Sequence, residues 1–163
     1  MSDDSLRSLL QPFYGYLGLQ MFADANDELE NLCPEVKTHP VVLLARLELL
    51  MEMERWDDGI VLGESLCRLW PEEYEFWFKA AYCLHAEKRT LEAKKTLLSA
   101  PLPIRDTALY SYNLACYEAQ LGELDTAKVL LDACFRKDKC FRLDALEDSD
   151  LEPLWRSLGS TGG

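Results

Sequence analysis

The sequence is poor in basic residues and in long apolar runs. It has 17 Lys and Arg against 29 Asp and Glu, which gives a formal net charge of −12. Phosphate backbones and anionic lipids are bound mainly through Lys and Arg, so this charge disfavours nucleic acid and membrane as partners. The longest apolar run, PVVLLA at 40–45, is much shorter than the roughly 20 residues of a transmembrane helix. The opening MSDDSLRSLL lacks a basic stretch followed by an apolar core, so we expect no signal peptide.

Motifs for phosphate, metal or covalent catalysis are also missing. Gly15 and Gly18 lie in an apolar aromatic run rather than between a strand and a helix, and no CxxC pair occurs. His39 and His85 have no cysteine at the spacing of a zinc site. We therefore expect no catalytic residue, no cofactor, no metal and no enzyme activity. A nucleophile–base pair of Cys116 and His85 is the weaker alternative, because no third orienting group is indicated.

The cysteines are scattered through apolar stretches rather than clustered as in small secreted domains. They are Cys33, Cys67, Cys83, Cys116, Cys134 and Cys140. This distribution favours free thiols and a cytoplasmic protein. With 48% hydrophobic and 28% charged residues, the chain has the composition of one ordinary globular domain.

What the sequence does contain is an internal repeat. The segment LGELDTAKVLL near the C-terminus has three fainter copies upstream, KRTLEAKKTLL, ERWDDGIVLGE and QMFADANDELE. A small residue recurs in them in even steps of 34, namely Ala25, Gly59, Ala93 and Ala127. Another apolar pattern of helical period precedes each copy, so the sequence predicts pairs of helices that cross closely where the side chains are small.

This pattern resembles the tetratricopeptide repeat family. The matching positions are Trp77, Ala81, Ala93 and Ala100 in one unit, Leu114, Ala115, Gly122 and Ala127 in the next, and Pro71 before them. The chain departs from the family where Lys88 and Glu54 stand in place of Gly122. The resemblance implies an all-α fold, a right-handed superhelical solenoid of about three to four helix–turn–helix repeats.

The repeat spacing assigns the whole of 1–158 to a single domain. Its parts are a degenerate repeat at 6–39, repeats at 40–73, 74–107 and 108–141, and a capping segment at 142–158, followed by a flexible tail at 159–163. Because Pro12 weakens a helix interior, we expect the first helix to begin late, near Gln11, or to be kinked. The cap is predicted as a short helix around 141–147 and a second one, after Ser149, that bears Leu154 and Trp155. Similar DLEPLW tails follow the last repeat in bacterial members of the family, which hints at a bacterial source.

The resemblance also implies a binding groove, because the first helix of each unit lines the concave face of such a superhelix. The inward positions are Leu44, Glu48, Met51, Phe78, Tyr82, His85, Tyr112, Asn113, Cys116 and Gln120. The stripe is aromatic and largely uncharged, and only Lys79 and Asn113 resemble the residues with which some members clamp a carboxylate. The alternative is that these rings simply pack between helices.

Two functions remain open at this stage. One is a non-enzymatic scaffold or interaction module, a monomer or homodimer whose groove binds a peptide or protein partner. The other is an assembly subunit or homodimer that uses its convex or terminal faces.

Overall fold

The computed structural model describes residues 1–160 and is almost wholly helical. Within that range it has thirteen α-helices, one 3-10 turn and no strand. The helices are α1 (Asp3–Leu9), α2 (Gln11–Gly18), α3 (Phe22–Glu30), α4 (Pro34–Lys37), α5 (Pro40–Glu52), α6 (Trp56–Leu69), α7 (Tyr74–Ala86), α8 (Thr90–Leu98), α9 (Leu102–Arg105), α10 (Ala108–Gln120), α11 (Leu124–Lys137), α12 (Phe141–Glu147) and α13 (Glu152–Ser160). The 3-10 turn covers Ser149–Leu151. The prediction of an all-α protein is confirmed, while the superhelix stays a prediction.

The chain divides into two compact units. The first covers Met1–Cys83 and the second begins at Leu84, so the division falls inside α7. The single domain at 1–158 therefore stays a prediction.

The turn between the paired helices has the same geometry in all four repeats. At each turn one residue adopts the left-handed conformation: Gln20 (φ 58°), Glu54 (φ 55°), Lys88 (φ 62°) and Gly122 (φ 85°). The amide of the following residue donates to a carbonyl five residues back, as in Met21 to Tyr16, Arg55 to Leu50, Arg89 to Leu84 and Glu123 to Glu118. This is the Schellman arrangement, which satisfies the last carbonyls of a helix and turns the chain into the next one.

The small residues of the repeat are buried, as their spacing predicts. Ala25, Ala93 and Ala127 are fully buried. In the first unit, a Cβ added at Gly63 of α6 would lie 2.9 Å from the Cβ and 3.1 Å from the Cα of Ala80 on α7. A Cβ added at Gly59 would lie 2.9 Å from the Cys83 sulfur. Only glycine allows α6 and α7 to approach this closely.

The first repeat is broken near its start, as Pro12 predicts. The short helix α1 ends at Leu9, and α2 begins at Gln11 with proline in its first turn. Leu6, Leu10 and Phe13 are buried on either side of this break and belong to the core of the first unit. The structure thus adds α1, a separate helix ahead of the predicted start near Gln11.

The second helices of the repeats alternate in length. Helices α3 and α8 have 9 residues, and each precedes a single helical turn, α4 and α9 respectively. Helices α6 and α11 have 14 residues. The bounds of α3, α4 and α6 coincide with those of α8, α9 and α11 after a shift of two repeats, so the structural period is two repeats rather than one.

The C-terminal segment packs on the last helix pair of the second unit. Helix α12 coincides with the predicted 141–147 helix, and α13 packs against α10 and α11. Leu151 and Leu154 are buried, whereas Trp155 is half-buried and donates from Nε1 to the Ala145 carbonyl at 2.8 Å. Helix α13 continues through Ser160, and the rest of the predicted tail at 159–163 lies outside the described residues.

Candidate partner-binding faces

Half of the predicted groove residues lie in the first unit, on α5 and α7. Leu44, Glu48, Met51 and Phe78 are half-buried, and Tyr82 is 49% exposed. We call these five residues the α5–α7 face. Its side chains are partly exposed and its rings are partly packed, so the groove and the packing interpretation of the sequence both stay predictions.

Glu48 is the electrostatic centre of the α5–α7 face. Its Oε1 lies 3.0 Å from the Lys79 ammonium, and its Oε2 accepts a hydrogen bond of 2.9 Å from the hydroxyl of Tyr14 on α2. Burial and the Glu48 carboxylate raise the pKa of Tyr14, so its hydroxyl stays protonated and keeps donating. The triad links α2, α5 and α7. Tyr14 was missed from the sequence, although it precedes Glu48 by one full repeat period.

Aromatic rings flank this triad. The Trp56 and Tyr82 rings meet edge to face with their centroids 5.9 Å apart, and those of Tyr74 and Phe78 are 6.2 Å apart. Tyr74 is 51% exposed and Tyr14 is 41% exposed. Paired rings lose little conformational freedom when a ligand covers them, so they are suitable anchors for a partner.

The predicted groove residues of the second unit are in a different state. Tyr112, Cys116 and Gln120 follow one another at four-residue intervals on α10, and His85 belongs to the same unit; we call these four residues the α10 face. Tyr112 is only 8% exposed and Cys116 only 4% exposed. These two side chains are covered because residues 148–151 of the same chain, and at Tyr112 also the Phe141 ring, lie on this face. That they bind a partner stays a prediction.

Two acidic residues of that segment make most of the contacts. The Tyr112 hydroxyl donates to Asp148 Oδ2 at 2.7 Å, and the Cys116 thiol donates to the same oxygen at 3.7 Å. His85 Nε2 lies 3.0 Å from Asp150 Oδ2, and the Gln120 amide donates to the Asp150 carbonyl at 2.8 Å. The sequence shows only that acidic and apolar residues alternate in this segment. Its position on α10 depends on the tertiary structure.

The remaining features of the α10 face fix its side chains in place. His85 Nδ1 lies 2.9 Å from the Thr90 hydroxyl, and its ring centroid lies 5.1 Å from that of Tyr117. Asn113, the tenth predicted groove residue, donates instead to the Leu109 carbonyl of its own helix at 2.9 Å.

The Cys116 thiol is poorly suited to nucleophilic chemistry. Burial, followed by the Asp148 and Asp150 carboxylates, raises its pKa, which disfavours the reactive thiolate. His85 is engaged by Thr90 and Asp150, so both members of the proposed nucleophile–base pair are occupied by other partners.

A buried ion pair in the second unit was not foreseen. Glu118 Oε1 on α10 lies 2.8 Å from the Lys94 ammonium on α8, and the Glu118 side chain is almost fully buried. Its second oxygen, Oε2, has no hydrogen-bond partner among residues 1–160. Removing Lys94 alone would leave a buried carboxylate unpaired, so this pair ties α8 to α10.

Among residues 1–160, no three His, Cys, Asp or Glu side chains come together in a way that could hold a metal ion. All six cysteines are free; Cys67, Cys83, Cys116 and Cys134 are buried, while Cys33 and Cys140 are exposed. In the same part of the chain, no helix has the length and apolar character needed to cross a membrane.

Comparisons of the chain with protein-family models, with curated proteins and with solved structures give no match.

Proposed function

We propose that the protein is a non-enzymatic interaction module of the bacterial tetratricopeptide type, and that it binds a segment of a partner protein on the α5–α7 face. The observation that carries this proposal is the set of exposed rings around the Glu48–Lys79 ion pair. Tyr14 and Tyr82 lie one period either side of Glu48, so neighbouring helices present them at the same repeat position. Rigid aromatic anchors around a fixed polar centre are typical of protein recognition.

Charge indicates the kind of partner that this face prefers. Residues 1–83 contain six Lys and Arg against sixteen Asp and Glu, a net charge of −10, whereas the whole chain carries −12. Opposite charge steers encounter, so a neutral or basic partner segment is favoured, and its association rate should fall as salt is added. The free cysteines fit a reducing compartment such as the cytoplasm.

The test is capture of a partner from lysate, followed by titration of the purified partner. We expect a double substitution to weaken binding by at least about tenfold, as the loss of anchor residues does: Tyr82→Ala in the face and Tyr74→Ala beside it, whose ring packs on Phe78 of the face. The matched control is Val61→Ala with Leu69→Ala, two exposed residues of α6 in the same unit. Equal binding by both double variants, each with an unchanged helical spectrum, would refute the assignment of this face.

An assembly subunit is the second candidate, and one observation favours it. Leu143 and Leu146 lie three residues apart on α12 and are 75% and 68% exposed. Adjacent exposed leucines on one helix face are typical of a surface that another protein covers. Light scattering tests it: a homodimer that Leu143→Gln with Leu146→Gln converts to monomer would favour this candidate.

A further inference from the structure

Residues 148–151 resemble a bound ligand more than a simple cap. A cap needs only apolar cover, and α13 with its buried Leu154 supplies it in the second unit. Asp148 and Asp150 contact the α10 face through polar groups rather than apolar ones. These groups are the two side-chain carboxylates and the Asp150 backbone carbonyl. Polar contacts of this kind select a sequence, whereas apolar cover tolerates many.

The spacing of the contacts defines what the α10 face selects. Asp148 Oδ2 meets the two donors Tyr112 and Cys116, and Asp150 meets His85 and Gln120. Asp148 Oδ1 also accepts the Asp150 amide at 2.9 Å, which holds the segment in its turn. The next residue, Leu151, is fully buried. The residues of the segment that are contacted or buried here therefore follow the pattern Asp-x-Asp-Leu.

The electrostatics of the second unit suit an acidic ligand. Asp150 lines a surface cavity of about 460 Å³ with His85, Lys88, Arg89, Glu92 and Gln120. Arg89 forms an ion pair with Glu92, so Lys88 is the side chain of this cavity that adds positive charge beside the Asp150 carboxylate. Residues 84–163 contain eleven Lys and Arg against thirteen Asp and Glu, a net charge of only −2. Because its net charge is small, the second unit by itself repels an acidic segment much less than the first unit does.

We propose that the α10 face is a recognition site for acidic partner segments of the form Asp-x-Asp-Leu, and that residues 148–151 are an intramolecular ligand that such a segment replaces. The inference rests on the proposed function of the chain as an interaction module, but it concerns a different face and a ligand of opposite charge. Binding on the α5–α7 face can therefore fail while this site stands, and the reverse also holds.

The experiment uses the full chain, in which a reversible disulfide holds residues 148–151 on the α10 face. Cys116 Sγ lies 3.7 Å from Asp148 Oδ2, so the substitution Asp148→Cys places a second thiol within reach of a disulfide. Cys33→Ser and Cys140→Ser remove the two exposed thiols beforehand. Oxidation forms the disulfide and reduction breaks it in the same molecule. The probe is a fluorescein-labelled peptide of residues 145–152, ALEDSDLE, followed by fluorescence anisotropy.

We expect the reduced variant to bind this peptide at least about tenfold more tightly than the oxidised variant, because only reduction frees the face. The matched control peptide, ALENSNLE, has both aspartate carboxylates replaced by amides and keeps both glutamates, and it should bind at least about tenfold more weakly, since charge-assisted hydrogen bonds are lost. Equal binding in the two redox states, or equal binding of the two peptides, would overturn the proposal. A reduced variant that dimerises and ignores the peptide would also overturn it, since the occupant would then be the segment of a second copy.

A measurement on the unmodified chain covers the case in which the variant does not fold. Hydrogen exchange of the amides of residues 149–151 is followed with and without millimolar ALEDSDLE. Displacement by the peptide should speed their exchange while the amides of α10 stay protected. Exchange that is unchanged at saturating peptide would contradict the proposal.

Discussion

The same substitution at two helical glycines of the first unit should stabilise the protein at one site and not at the other. Replacing a helical glycine with alanine normally stabilises a protein by about 0.5 to 1 kcal/mol, because the unfolded chain loses freedom. At Gly15 in α2 the new methyl group meets no other group of the described part of the chain within 4 Å, so the full gain is expected. At Gly63 the methyl group would lie 2.9 Å from the Ala80 Cβ and 3.1 Å from its Cα.

The clash at Gly63 has no flexible group to absorb it. The Ala80 atoms are a methyl group and backbone, so helices α6 and α7 must move apart. Overpacking of this kind costs about 1 to 3 kcal/mol. Because the gain from the unfolded chain is common to both sites, the difference between the two variants isolates the steric cost of about 1 to 3 kcal/mol.

Urea unfolding followed by circular dichroism measures this difference. Gly15→Ala should raise the midpoint and Gly63→Ala should lower it or leave it near the wild-type value. The slope with denaturant should stay the same in all three proteins, so that midpoints can be compared. A difference of less than about 0.5 kcal/mol between the two variants would mean that α6 and α7 are not in close contact at Gly63, and would refute this prediction.

Two further outcomes are expected. Leu154→Ala should lower the free energy of unfolding by about 2 to 5 kcal/mol in thermal or urea unfolding, because this side chain is buried, whereas Leu146→Ala, on an exposed leucine of the same segment, should change it by less than about 0.5 kcal/mol. Burial raises the pKa of Cys67 to about 12 and that of Cys83 to about 11. An unfolded thiol ionises near pH 8.5, so the unfolded state loses protons first and stability should fall as the pH rises from about 8.5 towards 11. Replacing both cysteines with alanine should flatten that decline, and a decline of unchanged steepness would contradict the assignment.

The regular parts of the fold were predictable because they depend on local spacing. The recurrence of Ala25, Gly59, Ala93 and Ala127 placed the second helix of each pair, and Pro12 placed the break before α2. These features act through close approach of neighbouring helices and through backbone geometry, which a sequence pattern records directly.

The left-handed turns were only partly readable. Gly122 marks such a turn in the sequence, but Gln20, Glu54 and Lys88 adopt the same conformation without the residue type that signals it. The Schellman hydrogen bonds and the packed helices enforce a conformation that these side chains disfavour. The positions of these turns were therefore predictable from the 34-residue period rather than from the residue type at each turn.

The state of the candidate faces could not be predicted from the sequence. The positions of Tyr112 and Cys116 on the inward stripe gave no sign that Asp148 would cover them, because residues far apart in the chain meet only after folding. The Lys94–Glu118 pair was missed for the same reason. The hydrogen bond between Tyr14 and Glu48, by contrast, joins two residues that are one repeat period apart, so the repeat spacing could have predicted it.

The alternating lengths of the second helices have a consequence for redesign. A repeat whose second helix is short and followed by an added helical turn alternates with a repeat whose second helix is long. A single repeat inserted into the chain would place two second helices of the same length in succession and break this alternation. The unit of duplication for a longer version of this protein is therefore a pair of repeats. A gene carrying another such pair between codons 73 and 74 should yield a helical product, whereas one repeat alone should give a junction that does not occur in residues 1–160.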